Sequence, residues 1–333
     1  VEDLVLGSET DEDYLFYNIW DIEVDRHDNI YVLDAGSCRI QKYDRRGKFV
    51  QTIGRQGQGP GEFERPVHIF FDVEDNIYIL GLSKIHILNK DGDFMKRLTT
   101  QSFIMNIAPE RPDNILVTGH TPGEKMRNLG IMVLDPEGQI QKTLTEFEGV
   151  PLMQGGWTIS LDYSPDLRLS QHGELGIIYG YSFDYTLYRM NWQGEQTLII
   201  KREIKRESIS RQERNKILDE HMKRTSSSGL GFTKEQVANA GNLPKFRPFF
   251  DRILTDDPGR IYVRRLKSVL DETQEHEFDI FGPEGVFLYS THLDLTPHVI
   301  KGGFMYHSRY SEETGETKVI RYRIKNWEQM KLD

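Results

Sequence analysis

The chain has 333 residues, with 52 acidic and 42 basic side chains and a formal net charge of −10. That balance argues against a general nucleic-acid binder, which has to neutralise phosphates. A single cysteine, Cys38, excludes an internal disulfide framework and a zinc–thiolate cluster, and no apolar run approaches the roughly eighteen residues of a membrane span.

The N-terminus starts at Val1 without Met or an apolar leader. This reads as a processed or trimmed end and leans toward export. The expected location is therefore the periplasm or the cell surface, with a lipid anchor in the precursor as one option. Asp3-Leu4-Val5-Leu6 has strand character but no unit of its own. It is expected to pair with the last unit of the chain.

The first full unit opens at Trp20-Asp21-Ile22-Glu23-Val24-Asp25, which alternates as a strand does. Asp28-Asn29 supplies a turn and Ile30 to Asp34 a second strand. Arg39 to Tyr43 is a third strand, Asp44-Arg45-Arg46-Gly47 a hairpin turn, and Lys48 to Ile53 a fourth strand. Four short antiparallel strands make one propeller blade. The phrase Asp28-Asn29-Ile30-Tyr31-Val32-Leu33 returns as Asp75-Asn76-Ile77-Tyr78-Ile79-Leu80. It returns in worn form at Asp113 to Val117 and at Gly259 to Val263. Hairpin glycines follow at Gly47, Gly92, Gly138, Gly194 and Gly285. A period in the forties built of strands and turns is the signature of stacked blades.

The later units read as Val67 to Thr99, Phe103 to Phe147, Trp157 to about Ile204, Phe249 to His292, and His298 to Trp327. The last supplies three clear strands, so the N-terminal segment is expected to complete it and close the ring. The step from Gly194 to Gly285 is about twice the others. Its excess, residues 205–247, reads as a helical insertion between blades four and five. Ser210 with Glu213 fits a capping box ahead of a helix over Arg211 to Arg224, and Thr233 with Gln236 a second, shorter one. The expected fold is all-β: one six-bladed β-propeller domain over residues 1–333, closed by its N-terminal strand and carrying that insertion.

Between the first two blades lies Gly54-Arg55-Gln56-Gly57-Gln58-Gly59-Pro60-Gly61-Glu62-Phe63, followed by Pro66. This stretch resembles the inter-blade signature of NHL-repeat propellers. Asp72 to Tyr78, Asp34, Arg39-Ile40 and Tyr43-Asp44 with Gly47 extend the resemblance over residues 20–99. With Leu243 to Phe249 ahead of blade five, the arrangement is similar to bacterial six-bladed propellers that are often exported or lipid-anchored. NHL-like propellers include binding scaffolds, RNA binders and a few lyases or lactonases, so the resemblance implies a fold and an address rather than an activity.

The Gly-rich stretch lacks the Gly-Lys-Ser/Thr and helix of a phosphate loop, and reads as a tight inter-blade crossing. Asn89-Lys90-Asp91-Gly92-Asp93 has a calcium-loop flavour but lacks the distal acidic ligand and falls on a hairpin turn. Aligning the inner strands sets Asp21, His68, Thr158 and Arg252 at equivalent positions, with His298 close by. These five are the candidate ligand-binding residues at a channel mouth. Glu23, Asn106 and Asp162 lie on or beside inner strands, with their faces unfixed. Tyr181, Phe183 and Tyr185 form a candidate carbohydrate-stacking platform, against a core role. The repeated aromatics Trp20, Trp157, Tyr31, Tyr78, Phe250 and Tyr262 read as inter-blade packing. No metal ligand set and no cofactor is assigned, although a divalent ion such as calcium in the channel is the one candidate. The leading expectation is a non-enzymatic scaffold for a protein, small-molecule or glycan ligand. A metal-assisted lyase, lactonase or hydrolase at the channel mouth is the alternative.

Overall fold

The computed structural model describes residues 1–100, 102–121, 126–151, 159–225, 233–241, 243–312, 314–325 and 327. Its strands form six four-stranded antiparallel sheets, five of them in chain order and the sixth completed by the N-terminal strand. Blade one comprises β2 (Ile19–Val24), β3 (Ile30–Asp34), β4 (Arg39–Tyr43) and β5 (Phe49–Ile53). Blade two comprises β6 (His68–Phe71), β7 (Ile77–Leu80), β8 (Lys84–Leu88) and β9 (Phe94–Thr99). Blade three holds β10 (Ile104–Arg111), β11 (Asn114–Thr121), β12 (Met126–Leu134) and β13 (Ile140–Pro151). Blade four holds β14 (Leu167–Gln171), β15 (Ile177–Tyr181), β16 (Thr186–Met190) and β17 (Gln196–Lys201). Blade five holds β18 (Phe250–Thr255), β19 (Ile261–Arg265), β20 (His276–Phe281) and β21 (Phe287–Leu293). Blade six combines β22 (Val299–Lys301), β23 (Phe304–Tyr310) and β24 (Thr317–Arg323) with the N-terminal β1 (Glu2–Leu6). The molecule is a six-bladed β-propeller.

The recurring phrase has a specific cause. The buried Asp25 carboxylate accepts hydrogen bonds from the backbone of His27 and Asn29, from Asn29 Nδ2 and from the Tyr31 hydroxyl, at 2.8 to 3.2 Å. Asp72 repeats this with Glu74, Asn76 and Tyr78. Asp256 does so with Arg260 and Tyr262. The turn also needs a left-handed residue, supplied by Asp28 and Asp75, both at φ 63°, and by Gly259 at φ 85°. In blades one, two and five the first turn is thus welded by one carboxylate whose bonds satisfy the buried backbone and the tyrosine hydroxyl together.

Between neighbouring blades the strands bury apolar faces against one another. Tyr31, Leu33 and Ile40 of blade one meet Ile69, Ile77 and Ile79 of blade two. Equivalent clusters join blades two to three, three to four, four to five and five to six. The sixth interface joins the two ends of the chain, where Leu6 and Val319 pack on Ile22, Val24 and Val32. There β1 pairs antiparallel with β24, with Val5 opposite Ile320 and Leu6 opposite Val319. Asp3 holds the strand in place through Arg321 and Arg323.

The connection between β17 and β18 carries two helices, α1 (Arg211–Thr225) and α2 (Lys234–Ala240). Both start on capping boxes, Ser210 with Glu213 and Thr233 with Gln236. Because β17 is an outer strand and β18 an inner one, the connection crosses the end of the ring where inner strands begin. Ile217, Leu218 and Val237 pack there on Ile159, Leu161 and Tyr163, with Met222, Leu266 and Val269 at the edge. The helix face therefore packs on propeller loops at that end. Glu213 fixes it: beyond its cap bond it accepts from Arg247 at 3.0 Å, Ser268 at 2.7 Å and the Tyr163 hydroxyl at 3.3 Å.

Blade four departs from the sequence reading. Its inner strand is Leu167–Gln171, ten residues beyond the expected start. Trp157 and Thr158 lie outside the described residues. The alternation of Trp157 to Leu161 mimicked a strand, yet Ile159 and Leu161 are buried under the helices.

Two outcomes check this architecture. Leu6→Ala should cost about 2–5 kcal/mol in urea unfolding, as for other buried leucines. A loss below about 0.5 kcal/mol, the scale of ordinary surface changes, would mean β1 does not close the ring. Glu213→Ala should speed amide exchange in α1 by about tenfold or more, given the strength of hydrogen bonds to a buried carboxylate. Unchanged exchange would contradict its role as the anchor.

Candidate functional site

Strand register defines one position per blade at the mouth, the end where inner strands begin. Ile22, Ile69, Ile107, Leu169, Ile253 and Val299 pair with Val32, Ile79, Val117, Tyr179, Val263 and Tyr306 respectively. The residues just before them are Asp21, His68, Asn106, Arg168, Arg252 and His298. A polar ring therefore sits on top of an aliphatic one. In blades one, three and five the pairing skips one residue, Trp20, Met105 or Asp251, immediately ahead of the ring position. Such bulges re-aim the side chain that follows.

The ring is connected. Asp21 Oδ2 accepts from His68 Nδ1 at 3.1 Å and from the Ile69 backbone at 3.1 Å. Its Oδ1 accepts from the Ile22 backbone at 3.0 Å and from His298 Nδ1 at 3.4 Å. His298 Nε2 meets Ser308 Oγ at 2.9 Å. Asn106 Oδ1 accepts from the Ile107 backbone at 2.8 Å, the same local bond that Asp21 makes, while its Nδ2 reaches the Leu169 carbonyl. Arg252 donates to the Pro297 carbonyl at 2.6 Å, and Arg168 pairs with Asp166. At the other end of the inner strands, Gln171 donates to the carbonyls of Phe71 and Pro109 and accepts from Thr255, tying blades two to five.

Electrostatics follow from this layout. Burial works against the charged Asp21 carboxylate, but hydrogen bonds and charge from His298 and His68 hold its pKa well below the ordinary range. Glu23, two residues deeper on β2, is pushed up to about 8, first by burial and then by the Asp21 carboxylate. Lys301 and the Val24 backbone oppose that rise. Burial lowers the Arg252 pKa, helped by Arg264 and Arg168 and opposed by Asp21 and Asp251. Burial likewise raises that of Asp166, against Arg168.

Of the five residues expected at the mouth, register and hydrogen bonds bring Asp21, His68 and His298 together, and Arg252 takes the equivalent place in blade five. Thr158 lies outside the described residues, and the blade-four position belongs to Arg168. Asn106 and Glu23 join the constellation, whereas Asp162 sits in a turn, paired with Arg224. Tyr185 is 3% exposed and bonded to Asp279, and Tyr181 stacks on Phe147, so these two pack and do not form a platform. Trp20 reverses its expectation: it is 47% exposed at the mouth. Asn89 accepts from Asp91 and Asp93 as a turn, and Glu62 fills the Gly-rich loop by accepting from Gly59 and Arg55. Among the described residues, no three His, Cys, Asp or Glu side chains are arranged to hold a metal ion. No helix among them is long and apolar enough to cross a membrane.

A raised folded-state pKa on an acid means the folded chain keeps a proton that the unfolded chain releases. Stability contributed by Glu23 is therefore present below about 4.5 and is lost as pH rises toward about 8. Glu23→Gln should flatten that fall in the urea midpoint between pH 5 and 8. An identical pH profile in both proteins would contradict the buried setting of Glu23.

Comparison with known proteins places this geometry. A putative exported protein from Bacteroides fragilis NCTC 9343 has a similar structure, with a TM-score of 0.58 at 14% identity, covering 97% of this chain and 94% of that one. A member of the duf4221 family from Bacteroides vulgatus ATCC 8482 gives 0.54 at 11% identity, covering 96% of each chain. Virginiamycin B lyase from Staphylococcus aureus gives 0.46 at 13% identity, over 97% and 88%. At identities this low the first two structures show a shared fold alone. No curated protein matches the sequence. The family described as 6-bladed beta-propeller, DUF5128, matches residues 5–221, more than half of the chain, and the chain belongs to that family.

Proposed function

We propose that the protein is a non-enzymatic, NHL-like binding propeller that takes a polar ligand at the mouth where the inner strands begin. One observation carries this reading: all six blades place a polar residue at the same register position there, directly above a ring of aliphatic ones. Packing alone calls for no such set, since polar groups gathered away from bulk water cost free energy unless bonded. Concave sites with a few convergent polar groups are where ligands bind. The helical insertion and the Tyr163 loop stand at the same end. Tyr163 itself holds φ 72°, a conformation that bulky residues rarely adopt and that three hydrogen bonds to its hydroxyl maintain. The same proposal places the protein in the periplasm or at the cell surface, as the sequence resemblance implies. Fractionation of the native cells tests that part.

The binding claim is tested by thermal shift against a panel of sugars, amino acids, carboxylates and nucleosides, on the wild type and on His68→Ala and Asn106→Ala. At about a hundred times its Kd a ligand should stabilise the wild type by about 2.7 kcal/mol. Both substitutions should weaken that response while circular dichroism stays unchanged. Ligands that stabilise all three proteins equally would place binding elsewhere. Turnover of a ligand, lost in either variant, would move the reading from binding to catalysis.

A further inference from the structure

The mouth is not electrically uniform. Blade one brings Asp21 and Glu23, while blades four and five bring Arg168 and Arg252. The inner strands of blades four and five lie side by side. The carboxylates within reach of these arginines are already committed. Asp21 takes four hydrogen bonds from His68, His298 and two backbone groups. Asp251 is held bidentately by Arg264, at 2.7 Å on each oxygen, and Arg264 spends its remaining terminal nitrogen on Thr296. Arg168 pairs with Asp166, yet its Nε is buried without a hydrogen-bond partner.

Arg252 is left with one backbone carbonyl, that of Pro297. Among the described residues it forms no ion pair with any carboxylate. A carbonyl dipole satisfies one N–H but does not neutralise a guanidinium, and a partly buried charge without a counter-ion is costly. The planar fork of arginine matches an oxyanion in bidentate geometry. Trp20 and Phe103, 47% and 48% exposed, stand just ahead of the ring residues and strands of blades one and three. They give the mouth exposed apolar side chains on blades one and three, the latter neighbouring blade four.

We infer that the mouth takes a small organic carboxylate, its oxyanion against Arg252 and Arg168 and its apolar body on the rim formed by Trp20 and Phe103. This rests on the binding reading above and narrows it to one ligand class. The carboxylate supplies the direct ion-pair partner that Arg252 lacks among the described residues. Asn106, in the blade next to Arg168, is placed to orient the ligand through its amide.

The test uses the full chain and three probes at constant ionic strength: phenylacetate, inorganic phosphate, and the neutral phenylacetamide, measured by calorimetry. Phenylacetate should bind, with phosphate weaker and phenylacetamide weaker by about tenfold or more, the scale of one charge-assisted pair. Arg252→Gln should lose about tenfold or more in phenylacetate affinity, and Arg252→Lys should retain part of it. Trp20→Ala should weaken phenylacetate but not phosphate. Folding of each variant is checked by its urea midpoint. Equal affinity for the acid and the amide would overturn the inference, as would an unchanged Kd in Arg252→Gln or no binding of either anion up to about 10 mM. If the amide binds equally well and His68→Ala still weakens it, the mouth binds ligands but does not select anions. The broader reading then stands and this one falls.

Discussion

Asp21 accepts four hydrogen bonds that span three blades: its own, blade two through His68 and Ile69, and blade six through His298. A propeller has no central core, so its inner strands are held only by contacts with their neighbours. The joint between blades six and one is the one made by the two ends of the chain. On its outside, β1 pairs with β24 and is clamped by Asp3. On its inside, Asp21 joins the same two blades and adds blade two. One carboxylate, 9% exposed and fully bonded, thus sets where the inner strands begin and where the mouth lies.

That arrangement governs what remains free. Each oxygen of Asp21 is used twice, so it forms no direct ion pair with the arginines of blades four and five, although its charge favours the charged form of Arg252. The Glu23 pKa is raised first by burial and then by the nearby Asp21 carboxylate, which would repel a second charge. Negative charge in the ring is therefore gathered at blade one, and Arg252 is left without a directly paired carboxylate among the described residues. The helical insertion completes the asymmetry. Within it Arg247 pairs with Glu207 and Glu213 and Lys234 with Asp219, while Arg224 and Lys216 reach out to Asp162 and Glu272.

The repeat was legible in the sequence because its turns depend on local chemistry. Asp28, Asp75 and the hairpin glycines mark left-handed backbone, and the capping boxes mark both helices to within a residue. The acceptor behind the phrase, Asp25 or Asp72, was harder to see, since its bonds run to a tyrosine six residues on. The ring at the mouth was partly legible: inner-strand alignment finds Asp21, His68, Arg252 and His298. Blade four failed because Trp157 to Leu161 and Leu167 to Gln171 alternate equally well, and only packing under the helices distinguishes them. The exposure of Trp20 was hidden for a different reason. A bulge turns it out of the pattern that its neighbours obey, and bulges leave no mark in periodicity.

A crystal structure of the protein grown with phenylacetate tests the central claim most directly, because it reports both the ring and its counter-charge. The account predicts a carboxylate within about 3 Å of the Arg252 guanidinium, with Asp21 still bridging His68 and His298. Arg252 paired to a carboxylate of the chain itself, with the ligand absent or bound away from the mouth, would contradict it.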